Sequence, residues 1–184
     1  PSWGLILEFG MGGGGDDLVK VTYTNGSSDT LSAGDGVSIA AGVMVTPLWV
    51  GDGLGIGGSA TIGYKYWSVG ASNGDVSIGR MPMTLALHVL PRLSPRWFLF
   101  ARGGIDKEVG VSVSSSGVAS GLNASPEAGL GGFGEGGFYR IFDSPEQNGA
   151  LSFTGRYTAM SYSANGVSVD ASSFMLFMGL YYNP

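Results

Sequence analysis

The segment Leu151-Ser152-Phe153-Thr154-Gly155-Arg156-Tyr157-Thr158 repeats on a two-residue beat. Leu151, Phe153 and Tyr157 fall on one face; Ser152, Thr154, Arg156 and Thr158 fall on the other. Successive side chains of a β-strand point to opposite sides, so the segment predicts a strand with one apolar and one hydrophilic face. Which of the two faces points inward decides the fold.

Composition answers that question. The chain has 184 residues, enough for one domain with a sizeable core. Only 12% of them are charged, nine Lys and Arg against 14 Asp and Glu, where soluble domains carry about 25%. Hydrophobic residues make up 43%, and mean hydropathy is +0.21. So few charges cannot coat a water-facing surface, so the apolar faces are expected to point outward into lipid.

No run of about 18 apolar residues is present, which excludes a transmembrane helix. The remaining backbone solution for a bilayer is a closed β-barrel, where every N–H and C=O pairs with a neighbouring strand. Cysteine is absent, so disulfides and thiol chemistry are excluded. Pro1 opens no signal peptide, as expected of an exported chain whose leader has been removed. A net charge of −5 with scattered basic residues gives no nucleic-acid footprint.

The same beat predicts eight long strands, at residues 3–12, 36–49, 54–68, 76–90, 96–106, 127–141, 149–162 and 169–182. Each reaches the roughly 9–11 residues that a tilted strand needs to cross a bilayer. Short connections at 50–53, 91–95 and 143–149 alternate with longer polar ones at 13–35, 69–75, 107–126 and 163–168. Outer-membrane barrels have this asymmetry, with the short turns in the periplasm, so both termini are expected there. Asn-Gly marks turns at Asn25-Gly26, Asn73-Gly74 and Asn165-Gly166. Around the first, Val19–Thr24 and Asp29–Ser32 predict a β-hairpin that extends the wall beyond the membrane. Loop 107–126, rich in Ser and Gly, is expected to be mobile.

Assigning faces by charge places Trp3, Leu5, Leu7, Phe9 and Met11 outward and Ile6, Glu8 and Gly10 inward. In the fourth strand Met81, Met83, Leu85, Leu87 and Val89 point away from Arg80, Thr84 and His88. An inward Arg102 carries Phe98 and Phe100 with it, an aromatic plug near the periplasmic end. Trp3, Trp49 and Trp97 at that end, with Tyr64, Tyr66 and Trp67 at the other, predict two aromatic girdles.

Glu8, Arg102, Glu135 and Arg156 lie at similar depths in their strands and predict one interior charge layer. In a narrow dry barrel two carboxylates and two guanidiniums need each other. An internal salt-bridge core that fills the lumen is one reading of that layer, and a gated polar channel is the other. Lys65 and Arg80 are expected at the outer mouth, pairing with loop acids such as Asp75 or meeting anionic headgroups. His88 stands near a periplasmic turn with no carboxylate to orient it, which predicts a non-catalytic histidine. Gly12–Gly15 lacks the Lys-Ser/Thr and helix of a phosphate loop. Gly132, Gly134 and Gly136, with Gly155, are expected to leave a shallow outer-wall groove where a partner or lipid chain could pack.

Several stretches point to a known family: Asp17–Gly26, Ala33-Gly34-Asp35-Gly36, Gly63-Tyr64-Lys65-Tyr66 and Ser72-Asn73-Gly74-Asp75. With them, the whole chain resembles the small outer-membrane barrels typified by the OmpA transmembrane domain and OmpX. More closely, it is similar to a family of eight-stranded outer-membrane proteins of Gram-negative bacteria. That resemblance implies an all-β, eight-stranded antiparallel up-and-down barrel in the outer membrane, and no activity to carry over. One departure is that Tyr181-Tyr182 is followed by Asn183-Pro184, whereas such barrels usually end on an aromatic residue.

The expected role is therefore a non-enzymatic barrel with a side-chain-filled lumen, serving as a structural element, anchor or docking surface. No catalytic residue, metal or cofactor is expected. The expected partners are outer-membrane lipid and lipopolysaccharide, and other envelope proteins through the outer loops or Gly-rich wall. The competing readings are a narrow pore, a lipid-modifying membrane enzyme and a soluble ligand-binding barrel.

Overall fold

Strand-favouring residues and the two-residue period produce an all-β chain. The computed structural model describes residues 2–71, 74–117, 123–142, 149–164 and 166–182. In chain order the strands are β1 Ser2–Gly13, β2 Asp17–Thr22, β3 Ser28–Ser32, β4 Gly36–Val50, β5 Leu54–Ala71, β6 Gly74–Pro91 and β7 Trp97–Ser115. There follow β8 Glu127–Ala128, β9 Leu130–Ile141, β10 Gly149–Ala159, β11 Ser161–Ala164, β12 Val167–Asp170 and β13 Ser173–Tyr182. Eight of them close an antiparallel barrel in the order β1-β13-β10-β9-β7-β6-β5-β4. Closure leaves no unpaired sheet edge, which is what permits strands to sit in hydrocarbon.

The faces follow the charges. Leu5, Phe9, Met11, Val43, Ile62, Leu85, Phe153 and Leu176 are exposed, whereas Glu8, Ser38, Thr84, Arg102, Thr154 and Arg156 are buried. A barrel with its apolar side out and its charges within is built for lipid, not water. Leu87, 75% exposed, tests this directly. Through Gly103 it stands level with Gly134 beside Glu135, at the depth of the interior charges. Leu87→Arg is expected to cost about 2–4 kcal/mol of folding free energy in phospholipid vesicles. A loss below about 0.5 kcal/mol, ordinary for a water-exposed site, would contradict the lipid-facing assignment.

Several features differ from the sequence expectation. Strand β7 does not end at residue 106 but runs to Ser115, so much of the expected loop 107–126 is wall. The strands expected at 127–141, 149–162 and 169–182 are each broken near their upper ends. There β8, β11 and β12 leave the barrel to form a separate three-stranded sheet. The first-loop hairpin is present as β2–β3, turned at Gly26 with φ of 84°, which glycine adopts without steric cost. It is a two-stranded sheet of its own. It folds inward over the mouth: Leu31 and Ala33 are fully buried against Val69, Val76, Ile78, Val111 and Tyr162. Finally, Trp67 leaves the outer girdle. Tyr64 and Tyr66 point out, so the odd-numbered Trp67 points in and packs under the hairpin. Most of the expected turn at 143–149, and Asn73 and Asn165 of the Asn-Gly turns, lie outside the described residues.

Candidate functional site: the lumen and outer wall

The register sets the central site. Arg102 on β7 stands opposite Glu135 on β9, which stands opposite Arg156 on β10. These three inward side chains therefore form one row across adjacent strands, and Glu8 of β1 reaches them from across the lumen. Glu135 Oε2 accepts hydrogen bonds from Arg102 Nε at 3.1 Å, Arg102 Nη2 at 2.7 Å and Arg156 Nε at 2.7 Å. Its other oxygen accepts one from Thr154 Oγ1 at 2.7 Å. Glu8 takes Arg102 Nη2 on one oxygen at 2.5 Å and Arg156 Nη2 on the other at 3.0 Å. Each acid thus bridges both bases. Aromatic faces close the layer, with Arg156 4.1 Å from the Phe177 ring centroid and 5.0 Å from that of Phe133.

Below this layer the lumen is packed with Ile6, Met44, Leu90, Phe98, Phe100, Tyr139 and Tyr181. Tyr139 and Tyr181 meet edge-on with centroids 4.9 Å apart. His88 is buried at this end, faces Arg102 across β6–β7, and shares a 3.0 Å hydrogen bond with Thr46 through Nε2. Among the described residues no carboxylate is bonded to it, and no His, Cys, Asp and Glu group is placed to hold a metal.

Above the central layer lies a second polar layer. Lys65 and Arg80 are both in the lumen and buried. They do not pair with Asp75: Arg80 Nε is 3.3 Å from Glu108 Oε2, its Nη2 donates to the Asp35 carbonyl at 2.5 Å, and Lys65 donates to Ser173 Oγ at 3.3 Å. The Tyr162 hydroxyl also donates to Glu108. Asp106 and Glu108 are thus lumen acids, two per four charges, balancing Lys65 and Arg80. A strand ending at residue 106 leaves out Glu108; the alternation of Asp106 and Glu108 with Ile105 and Val109 is the signal for both acids.

The hairpin is fastened above this. Tyr23 Oη donates to the Gly70 carbonyl at 3.0 Å, and Asp35 accepts the Ser32 amide at 2.8 Å. Asp170, at the outer end, accepts the Ser172 amide at 2.9 Å, and the Ser172 contacts hold its carboxyl below the usual carboxylate range.

On the outer wall, Gly132, Gly134 and Gly136 face outward and are exposed. A side chain at Gly134 would meet nothing within 4 Å, whereas Gly155 is overlain by the Phe174 ring, 3.0 Å from where a Cβ would stand. The register aligns Ala101, Gly136 and Gly155 in one row. The wall is therefore notched there, and Phe174 closes one side of the notch.

These features define a transmembrane β-barrel that carries two polar layers and an aromatic cluster in its lumen. No family model matches the chain, and no curated protein sequence does. Among solved structures it is similar to Ail, the attachment invasion locus protein of Yersinia pestis, in complex with the heparin analogue sucrose octasulfate. The TM-score is 0.53 at 10% identity, covering 98% of each chain. It is also similar to the outer membrane protein OprG of Pseudomonas aeruginosa, with TM-score 0.44 at 15% identity over 98% of this chain and 96% of that one. The likeness to Ail extends over the whole barrel and establishes a shared fold.

Proposed function

We propose that this chain is a non-conducting barrel of the bacterial outer membrane, with both termini in the periplasm, that acts as a structural anchor and docking surface. The observation that carries this reading is the crossed network of Glu8, Arg102, Glu135 and Arg156. It spans the lumen between four strands and sits above an aromatic plug and below a docked hairpin. A barrel of about eight strands is just wide enough for its side chains to fill. Lipid and lipopolysaccharide surround the wall, and the outer loops and the Gly132–Gly136 notch are the surfaces left for other envelope proteins. His88 faces the plug, at the end away from the outer leaflet, which supports a non-catalytic reading of that side chain.

Single-channel recording in planar bilayers tests the reading. Wild type and Arg156→Ala are both expected to stay silent, because Arg102, the plug and the hairpin remain. Discrete openings in the wild type would establish the pore instead. Crosslinking from a Gly134→Cys variant in native membranes tests the notch: a defined protein adduct supports docking there, and labelling by lipid probes alone would remove it.

A further inference from the structure

Lys107 is the one basic side chain that leaves the outer face of the wall between the two aromatic levels. Of the nine Lys and Arg residues, Lys65, Arg80, Arg102 and Arg156 are in the lumen. Arg92, Arg96 and Arg140 are at the lower end, where Arg140 lies over Trp97, and Lys20 is on the hairpin. Lys107 stands in the outward row with Ile62, Met83 and Leu130, and is exposed. The next outward residue above Ile62 is Tyr64, about 7 Å further along the strand. Tyrosines on the outer surface mark the headgroup level. The Lys107 ammonium donates to the carbonyl of Ala128, above it on β8, so its stem climbs toward that level as a snorkelling lysine does. One of its three donors is used, leaving two.

Beside Lys107 the wall carries a groove of about 440 Å³ bounded by Ala41, Ala60, Ile62, Leu85 and Leu130. It exists because alanine occupies two diagonal outward positions, Ala41 and Ala60, in rows otherwise filled by Val43, Ile62 and Leu85. The floor is apolar and the single charge is at its upper edge. At the outer end the exposed charges are mostly acidic, among them Asp16, Asp17, Asp29, Asp75, Glu127 and Asp170, and the other exposed base there, Lys20, is on the hairpin and not on the wall.

We infer that this groove is a binding site for one anionic lipid of the outer leaflet, its acyl chain in the groove and its phosphate on Lys107. The inference rests on the membrane-barrel reading. It adds a place and a charge preference to what would otherwise be unspecific lipid contact.

Native mass spectrometry of the detergent-folded protein tests it, with dioleoylphosphatidylglycerol and neutral dioleoylglycerol as probes. Wild type is expected to retain one phosphatidylglycerol about fivefold more than the neutral lipid, in line with the attraction of a surface lysine to anionic headgroups. Lys107→Arg keeps that preference, Lys107→Gln abolishes it, and Ala60→Phe, which fills the groove, lowers phosphatidylglycerol retention severalfold. Equal preference in wild type and Lys107→Gln, or unchanged retention in Ala60→Phe, overturns the site. Heat-modifiable migration on gels shows that each variant is folded. Wild type that is monodisperse without detergent would instead overturn the membrane-barrel reading beneath the inference.

Discussion

Replacing Glu135 with Ala is expected to destabilise the folded barrel by about 3–5 kcal/mol, the range for removing one partner from a buried ion pair. Two guanidiniums converge on Glu135 Oε2, and without it they share Glu8 alone, leaving uncompensated positive charge among buried side chains. Arg156→Ala is expected to cost less. Arg102 still bridges both carboxylates in that variant, and Thr154 still donates to Glu135. The informative comparison is a fourfold exchange of Glu8 and Glu135 for Gln with Arg102 and Arg156 for Met. Neutralising all four together removes the desolvation penalty along with the attraction, so its cost is expected to fall below that of Glu135→Ala alone. Urea titration in phospholipid vesicles, followed by tryptophan fluorescence, measures all three. A single substitution costing under about 1 kcal/mol, the worth of an exposed pair, would mean that water reaches the layer and the lumen is not sealed.

The charge layer was legible because two constraints act on the same residues. Strand parity sends Glu8, Arg102, Glu135 and Arg156 to the face opposite the apolar residues, and their similar depths place them within reach of one another. Parity likewise exposes Phe98 and Phe100 as a plug once Arg102 is inward. Lys65 and Arg80 of the second polar layer are legible by the same parity, but its acid Glu108 is hidden by the exception to the rule. Lys107 is a charge on the outward face, so a reading in which charges mark the inside ends the strand just before it and loses Glu108 with it. The inward turn of the hairpin was illegible for a different reason. A two-residue pattern fixes which faces of β2 and β3 are apolar, but not whether they continue the wall or fold onto the mouth. That choice depends on an apolar cup formed by Val69, Val76, Ile78 and Val111 from strands far away in sequence. Trp67 was misplaced by proximity to Tyr64 and Tyr66, although its odd position already put it on the face of Lys65.

Leu31→Ala is expected to release the hairpin while leaving the barrel closed. Leu31 is fully buried under the mouth, and truncating a buried leucine costs about 2–5 kcal/mol. The hairpin is otherwise held by Ala33, Leu18, Val19 and Val21 in the same cluster, and by hydrogen bonds from Tyr23 to the Gly70 carbonyl, from Arg80 to the Asp35 carbonyl and from the Asp170 amide to Asp16. Its two strands share no ladder with the barrel, so it can open as a unit without breaking the wall, which is how local unfolding proceeds. Amide exchange over residues 17–32 is therefore expected to accelerate by two orders of magnitude or more, about 2.7 kcal/mol of protection, while β5 to β7 stay protected. Trp67 supplies a second readout, because it lies beneath the hairpin, whereas Trp3 and Trp97 are on the outer face and Trp49 packs edge-on against Phe98 at the lower end. With Trp3, Trp49 and Trp97 changed to Phe, aqueous acrylamide is expected to quench Trp67 more strongly in Leu31→Ala than in its parent. If exchange rises equally in the hairpin and in β5 to β7, the two share one cooperative unit, and the hairpin is part of the wall rather than a cover docked on it.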